Sequence, residues 1–350
     1  MQKAERNRAC TLQIELFQVK NKAVIISKTG MNISSNAGFL ALSQIDRKMG
    51  LMEDLGSCLT DAVENRLEAV QDEERIKHSV TDLLKQRVYQ IGLGYEDGLD
   101  ANDLRHDSVL QLSVGKEEAL GSQPMMSRLE HWVSDRDLYR LSRKFVAIYA
   151  KHFHRKGEPV VLHIDSTNDP VHGQLGLFNG YYQENCFHPL LITAEASGFP
   201  FGIILRDGHV GSANNAKLFL KRVIRWLREE IADVAIVIKA DCSFGIADLI
   251  NEFDDNRVDY ILGLSGNKAL YPYIEVLKKE VLREYSATGQ PLQRFMSFDY
   301  KADPWDKEHR VVAKVEHTLQ GPNIRFVVSS MMAEDPACLY ASYHTRAKGI

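Results

Sequence analysis

The chain has 350 residues, with 43 Lys and Arg against 47 Asp and Glu for a formal net charge of -4. Hydrophobic residues at 44% and charged residues at 26% are near the globular norm and exclude a disordered or low-complexity protein. No apolar run approaches the roughly 18 residues of a membrane span, so no membrane partner is expected. The length allows two or three domains. No apolar signal core follows the charged start MQKAERNRACTLQIELF, which points to a cytoplasmic protein. Cys10, Cys58, Cys186, Cys242 and Cys338 are scattered and form no C-x-x-C pair, against both a disulfide framework and a thiolate zinc site. Cys242 follows Asp241 directly but has no catalytic thiol pattern around it.

In chain order, residues 12–29 have strand composition around a turn at 20–22, which predicts an opening hairpin. Leu40, Leu42, Ile45, Met49, Leu51 and Leu55 then form a helical stripe that Gly50 or Gly56 can end. A second helix is expected over 72–92, where Ile76, Val80, Leu83, Leu84, Val88 and Ile91 recur at three or four residues. SQPMMSRL at 122–129 opens another helix. It is open to two readings: a helix-turn-helix presenting Ser127 and Arg128 to a DNA groove, or a plain Ser cap with Pro in the first turn. The helix that follows carries Arg136, Arg140, Arg143 and Lys144 on one face, and 217–228 holds five basic residues without an acid. Either run is a phosphate-binding patch or a solvated helix face.

The central stretch is VVLHIDSTNDPVHGQLGLFNGYY at 160–182. Val160 to Ile164 reads as a short buried strand ending on Asp165. A carboxylate at the carboxyl end of an inner strand faces the crevice where open α/β sheets bind ligands. Ala235 to Ala240 repeats the arrangement, ending on Asp241 with Ser243 and Gly245 beyond. Two such acids suggest a shared metal, although an aspartate there also caps a turn or helix. Strands at 187–194 and 201–205 flank the Ser197-Gly198 turn. A helix at 213–231, the strand before Asp241, a helix at 246–253 and a strand at 260–264 follow. This order describes a mixed sheet with helices packed on it. Residues 265–306 read as polar and irregular apart from a helix near 273–285, and 310–318 and 325–330 form an antiparallel pair across QGPN. A last helix begins at 337.

Taken together, IDSTNDPVHGQ, FNGYY, KADCSFG and the VVAKVEHT to RFVVSS pair resemble bacterial insertion-sequence transposases, in particular the group numbered thirteen-eighty. That group belongs to the larger class with an RNase H-like fold and an Asp-Asp-Glu active site. SSNAG, LLKQRVYQIGLGYED, LRHD and SQPMMSRLE extend the resemblance over nearly the whole chain. It implies a mainly helical DNA-binding domain at 1–150 with an initial β-hairpin. An RNase H-like catalytic domain would follow at 151–350, with 265–332 an insertion containing a β pair.

The resemblance further implies that Asp165 and Asp241 are the first two catalytic and metal-binding aspartates, holding two Mg2+ or Mn2+ ions. Its third carboxylate is a glutamate in the pattern Tyr-x-x-Arg-x-x-x-Glu; Tyr343 and Arg346 fit, but the glutamate position falls on Ile350. The expectation is therefore a transposase truncated at this ligand and catalytically incomplete, with Glu316 and Glu334 as substitutes lacking the family context. Candidate DNA contacts are Ser127, Arg128, Arg140, Arg143, Lys144, His172, Tyr181, Tyr182, Lys239, Tyr343 and Arg346, with Arg206 a further phosphate neighbour. The partners are transposon inverted-repeat ends and target DNA, bound by a homodimer and associated with the bacterial nucleoid. Two other classes compete. One is a DNA-end-binding remnant without catalysis. The other is an aspartate-nucleophile phosphohydrolase, which would want a second acid two residues after Asp165, where Thr167 stands.

Overall fold

Residues 14–19, 22–26, 35–59, 78–171, 176–332 and 334–345 are described by the computed structural model. The chain divides into two compact units, Met1–Lys144 and Phe145–Ile350.

The first unit opens with the antiparallel hairpin β1 (Ile14–Val19) and β2 (Lys22–Ile26). Helix α1 (Phe39–Met49) ends where Gly50 takes a left-handed φ of 70°, and α2 (Leu51–Gly56) starts from that turn. Helix α3 (Val80–Gly92) begins later than its apolar spacing predicts, because Ser79 and Asp82 form a reciprocal capping box there. Residues 60–77, which include the expected start of that helix, lie outside the described set. The short helices α4 (Ala101–Leu104) and α5 (Ser108–Val114) lead to α6 (Gln123–Trp132) and α7 (Asp135–His152), whose residues from Phe145 on belong to the second unit. Pro124 sits in the first turn of α6 as expected, but Ser122 makes no side-chain cap. The Gln123 N–H donates instead to Asn102 Oδ1 at 3.1 Å. Two apolar clusters hold these helices, one around Leu83, Met126 and Leu129, the other around Phe39, Tyr89 and Leu110.

The second unit is built on an eight-stranded sheet in the order β11-β12-β13-β10-β9-β3-β7-β8. Its members are β3 (Val160–Ser166), β7 (Leu190–Ala194), β8 (Pro200–Ile204), β9 (Ile236–Ala240), β10 (Asp259–Leu264), β11 (Leu292–Tyr300), β12 (His309–Thr318) and β13 (Gly321–Ser329). Strands β3, β9 and β10 run parallel at the centre, and the outer pairs are antiparallel. The expected strand at 187–194 breaks at Pro189, which has no N–H for a ladder. Its first part joins a small second sheet of β4 (Asp169–Pro170), β5 (Leu177–Asn179) and β6 (Glu184–Phe187). Within the stretch expected to be irregular, 292–300 forms the edge strand β11. Polar residues interrupt its apolar pattern, yet Leu292, Met296, Phe298 and Tyr300 all pack on the core.

Side-chain alternation gives the sheet two different faces. Leu162, Ile164, Ile238, Ala240, Tyr260 and Leu262 point to one face, beneath α8 (Ala216–Glu230) and α9 (Ala247–Asp255). Phe219, Leu220, Val223, Trp226 and Leu227 recur at helical spacing on the buried side of α8. The basic side of α8 is occupied within the fold. Lys217 and Lys221 lie 3.4 and 2.8 Å from Glu252, which is buried on α9, and Arg228 donates to the Asn256 carbonyl. The opposite face carries Ile261, Val312 and Val327 under Leu339 of α11 (Pro336–Thr345), while α10 (Glu275–Thr288) flanks β11 and β12.

Trp226 is 2% exposed in the main core. Trp226→Ala is expected to lower unfolding stability by about 3–5 kcal/mol, measurable by chemical denaturation.

Candidate active site

The parallel register of β3 and β9 pairs Ile164 with Ala240, so the next residues, Asp165 and Asp241, leave adjacent strand ends side by side. Neighbouring strands lie about 4.8 Å apart. Because Ile164 and Ala240 face the core, alternation turns both aspartates to the opposite face. Each carboxylate is oriented by backbone: Asp165 Oδ1 accepts from the Ser166 N–H at 2.8 Å, and Asp241 Oδ1 accepts from the Ser243 N–H at 2.8 Å. Both aspartates are half-buried. The turn after Asp241 fits tightly against β10. A Cβ on Gly245 would stand 2.2 Å from the Gly263 carbonyl oxygen, and one on Gly263 would stand 2.6 Å from the Cys242 nitrogen.

Two tyrosines converge on this point. Burial, reinforced by the neighbouring Tyr181, Asp165, Cys186 and Asp241 groups, pushes the Tyr182 phenol above its ordinary pKa. On the other side, the Tyr343 hydroxyl of α11 closes over Gly263, where an added Cβ would lie 2.6 Å from it, beside the Asp241–Cys242 backbone. The last helix therefore arrives at the carboxyl ends of β9 and β10.

The FNGYY segment owes its shape to Asn179, which is buried. Its Oδ1 accepts from the Tyr181 and Tyr182 N–H groups at 2.9 and 3.2 Å, and its Nδ2 donates to the Gly208 carbonyl at 2.6 Å. The turn leaves Tyr181 87% exposed, its ring 5.0 Å from that of Tyr182 and nearly perpendicular to it. Arg206, expected beside a phosphate, is 5% exposed and organises the loop behind Asp165. It donates to the carbonyls of His188, Ser212 and Asn214 and to Ser166 Oγ, each at 2.8 Å.

Lys239 also points inward, to a polar cluster that the sequence did not reveal. Its Nζ lies 2.8 Å from Glu195 Oε1 and 3.0 Å from the Ser342 carbonyl oxygen, and the Thr345 hydroxyl lies 2.8 Å from the same carboxylate. The one signal available was a lysine inside the apolar run IVIKA; Glu195 and Thr345 are too far away in sequence to be linked to it. Burial alone would raise the Glu195 pKa, but contacts with His163, Lys239 and Thr345 outweigh it and hold the carboxyl at about 2.

In the first unit, Ser127 and Arg128 lie on α6, and Arg140, Arg143 and Lys144 on α7. Arg128 and Arg143 are exposed. Arg140 lies 3.9 Å from Asp137, and Lys144 lies 3.6 Å from Asp54. His172, Arg346 and Ile350 fall outside the described residues. Of the two substitutes for a third carboxylate, Glu316 stands on β12, three strand spacings or about 14 Å from β9. It is engaged there by Lys314 and Asn323. Glu334 lies just before α11 and offers its backbone carbonyl to Arg310. Hard oxygen donors in a pair suit a magnesium-type ion, which keeps several waters and uses substrate phosphate as a further ligand. Among the described residues, no third His, Cys, Asp or Glu completes a metal-binding group.

A central parallel trio, antiparallel flanks and acids at adjacent strand ends make up the mixed sheet of the RNase H-like transposases with an Asp-Asp-Glu centre. A model of the family Transposase DDE domain group 1 matches residues 16–349, and the chain belongs to that family of insertion-sequence transposases. No curated protein matches it. Membership implies DNA as partner and the divalent metal ions that the family normally uses. Among the described residues no helix is long and apolar enough to cross a membrane.

The Glu195 carboxyl is held near 2 in the fold against an ordinary value of 4.5. Its stabilising contribution is thus present in full above about pH 4.5 and is lost as pH falls toward 2. Denaturation midpoints measured across that window are expected to fall less steeply with acid in Glu195→Gln than in the parent.

Proposed function

We propose that the protein cleaves DNA at the ends of an insertion sequence and joins those ends to target DNA, with Asp165 and Asp241 as metal-binding catalytic carboxylates. The observation that carries this reading is their side-by-side exit from β3 and β9. Divalent magnesium or manganese, two ions in a complete site, supplies activation of the attacking oxygen and stabilisation of the leaving oxygen. The chain's own residues orient and select. Ser166 and Ser243 aim the carboxylates through their backbone N–H groups. Arg206 braces the strand end through Ser166, and Gly245 and Gly263 let the backbone approach closely. Water attack on the phosphodiester breaks its bond to the 3′ oxygen and frees a 3′ hydroxyl at the element's end, and that hydroxyl then attacks a target phosphodiester and displaces the target strand's own 3′ oxygen.

Tyr181 stands out from the Asn179 turn as a flat, exposed ring suited to stacking on an unpaired base flanking the cleavage point. Arg128 and Arg143, with Ser127, Arg140 and Lys144 on the same helices, are the proposed phosphate-contacting set of the helical unit. Pairing of two ends makes a homodimer on DNA the proposed active assembly. Membership of group thirteen-eighty is part of this proposal and rests on the order of the motifs. No residue of this sequence is proposed as the third carboxylate, since Ile350 stands where the resemblance would put the glutamate.

A duplex carrying the inverted repeats that flank the gene, incubated with Mg2+ or Mn2+, tests this. Asp165→Asn or Asp241→Asn is expected to reduce end cleavage by more than about a hundredfold, beyond the usual effect of losing a supporting residue, while end binding persists. Salt-dependent end binding by the unsubstituted chain without cleavage would overturn the catalytic reading and leave a DNA-end-binding protein. Tyr181→Ala is expected to weaken binding to ends with a single-stranded flank by about 1–3 kcal/mol, and to leave binding to blunt duplex unchanged in a titration.

A further inference from the structure

Lys239 is the next-to-last residue of β9, a central strand of the sheet, and is 5% exposed. Its ammonium donates to both oxygens of Glu195, at 2.8 and 2.9 Å, and to the Ser342 carbonyl at 3.0 Å. The Thr345 hydroxyl lies 3.5 Å from Lys239 Nζ and 2.8 Å from Glu195 Oε1, and His163 Nε2 stands 3.4 Å from the same oxygen. One cation therefore links β9, the residue after β7, and the last turn of α11. That turn is where carbonyl groups lack intrahelical partners and the helix dipole is negative, so a cation is well placed there.

A buried ion pair adds little stability over apolar side chains of similar volume, and directional placement is its better-attested use. Other contacts of α11 include Leu339 on Ile261, Val312 and Val327, and Tyr340 against Phe295. Such contacts are non-directional and tolerate sliding or rotation of the helix. The Lys239 bonds do not.

We propose that Lys239 is a positioning residue for the catalytic end: with Glu195 and Thr345 it fixes the register of α11 across β9 and β10, so that the Tyr343 side of the helix meets Asp241. This rests on the reading of Asp165 and Asp241 as metal-binding carboxylates. Lys239 itself touches no substrate and acts through the helix.

The test uses the full chain with terbium as the probe ion and two readouts. The first is amide hydrogen exchange over residues 336–345. The second is tyrosine-sensitised terbium emission, from which the part lost in Tyr343→Phe reports how close α11 stands to the ion. Lys239→Met and Thr345→Val are expected to lose exchange protection in α11 and to lose the Tyr343-dependent emission, whereas Lys239→Arg, which keeps the charge and donors, retains both. Unchanged protection and emission in Lys239→Met would overturn the proposal. If Lys239→Met fails to fold, Thr345→Val decides, since it removes one hydroxyl from an exposed residue. The two readings fail separately. Emission from the parent chain that Asp241→Asn does not reduce would sink the metal assignment, while hydrogen exchange in Thr345→Val and Lys239→Arg would still decide the positioning role.

Discussion

The parallel pairing of β3 with β9 is the constraint on which the proposed catalytic end depends. It places two carboxylates on neighbouring strands at about the strand spacing, where like charges repel and favour a cation between them. What holds them there is the other side of the same strands. Leu162, Ile164, Ile238 and Ala240 are at most 1% exposed, beneath α8 and α9. A slip of one residue would exchange the two faces, burying acids and exposing the core. The apolar core therefore fixes the position of polar groups it never touches.

The second face of the sheet is where most of the specific geometry resides. An apolar patch under Leu339 anchors α11, and the Lys239–Glu195–Thr345 bonds lie at the end of that helix. Arg206 does similar work at the other aspartate. Five donor groups on one guanidinium gather the loop at 211–214 and the Ser166 hydroxyl into one arrangement. Both cations read as phosphate ligands in one dimension and are internal fasteners in three. The basic run of α8 behaves alike, because Asp248 and Glu252 on α9 receive Lys217 and Lys221. Counting basic residues along a chain overestimates the surface available to DNA wherever acids from another element lie opposite.

Much of the second unit was legible in the sequence because each central strand is a short apolar run closed by a polar turn. The strands leading to Asp165 and Asp241, the helices between them and the β12–β13 pair all announce themselves in this way. Strand β11 did not, since an edge strand keeps one mixed face and its Arg294, Ser297 and Asp299 dilute the pattern. The small sheet β4–β6 was hidden because its strands are two to four residues long, too short for any period to show.

The sequence by itself determined the two strand-end aspartates, the family to which their motifs point, and the FNGYY tyrosines as candidates. These are local signals, set by a strand, a turn and the residue between them. Only the tertiary structure decided that the aspartates share an edge, that Tyr182 and Tyr343 approach them from different elements, and that Lys239 and Arg206 face inward. Those facts depend on residues up to 150 positions apart, such as Lys239 with Thr345 at 106 and Glu195 with Thr345 at 150. Chain order carries no record of such meetings, because register and helix docking are set by burial summed over the whole sheet rather than by any one stretch.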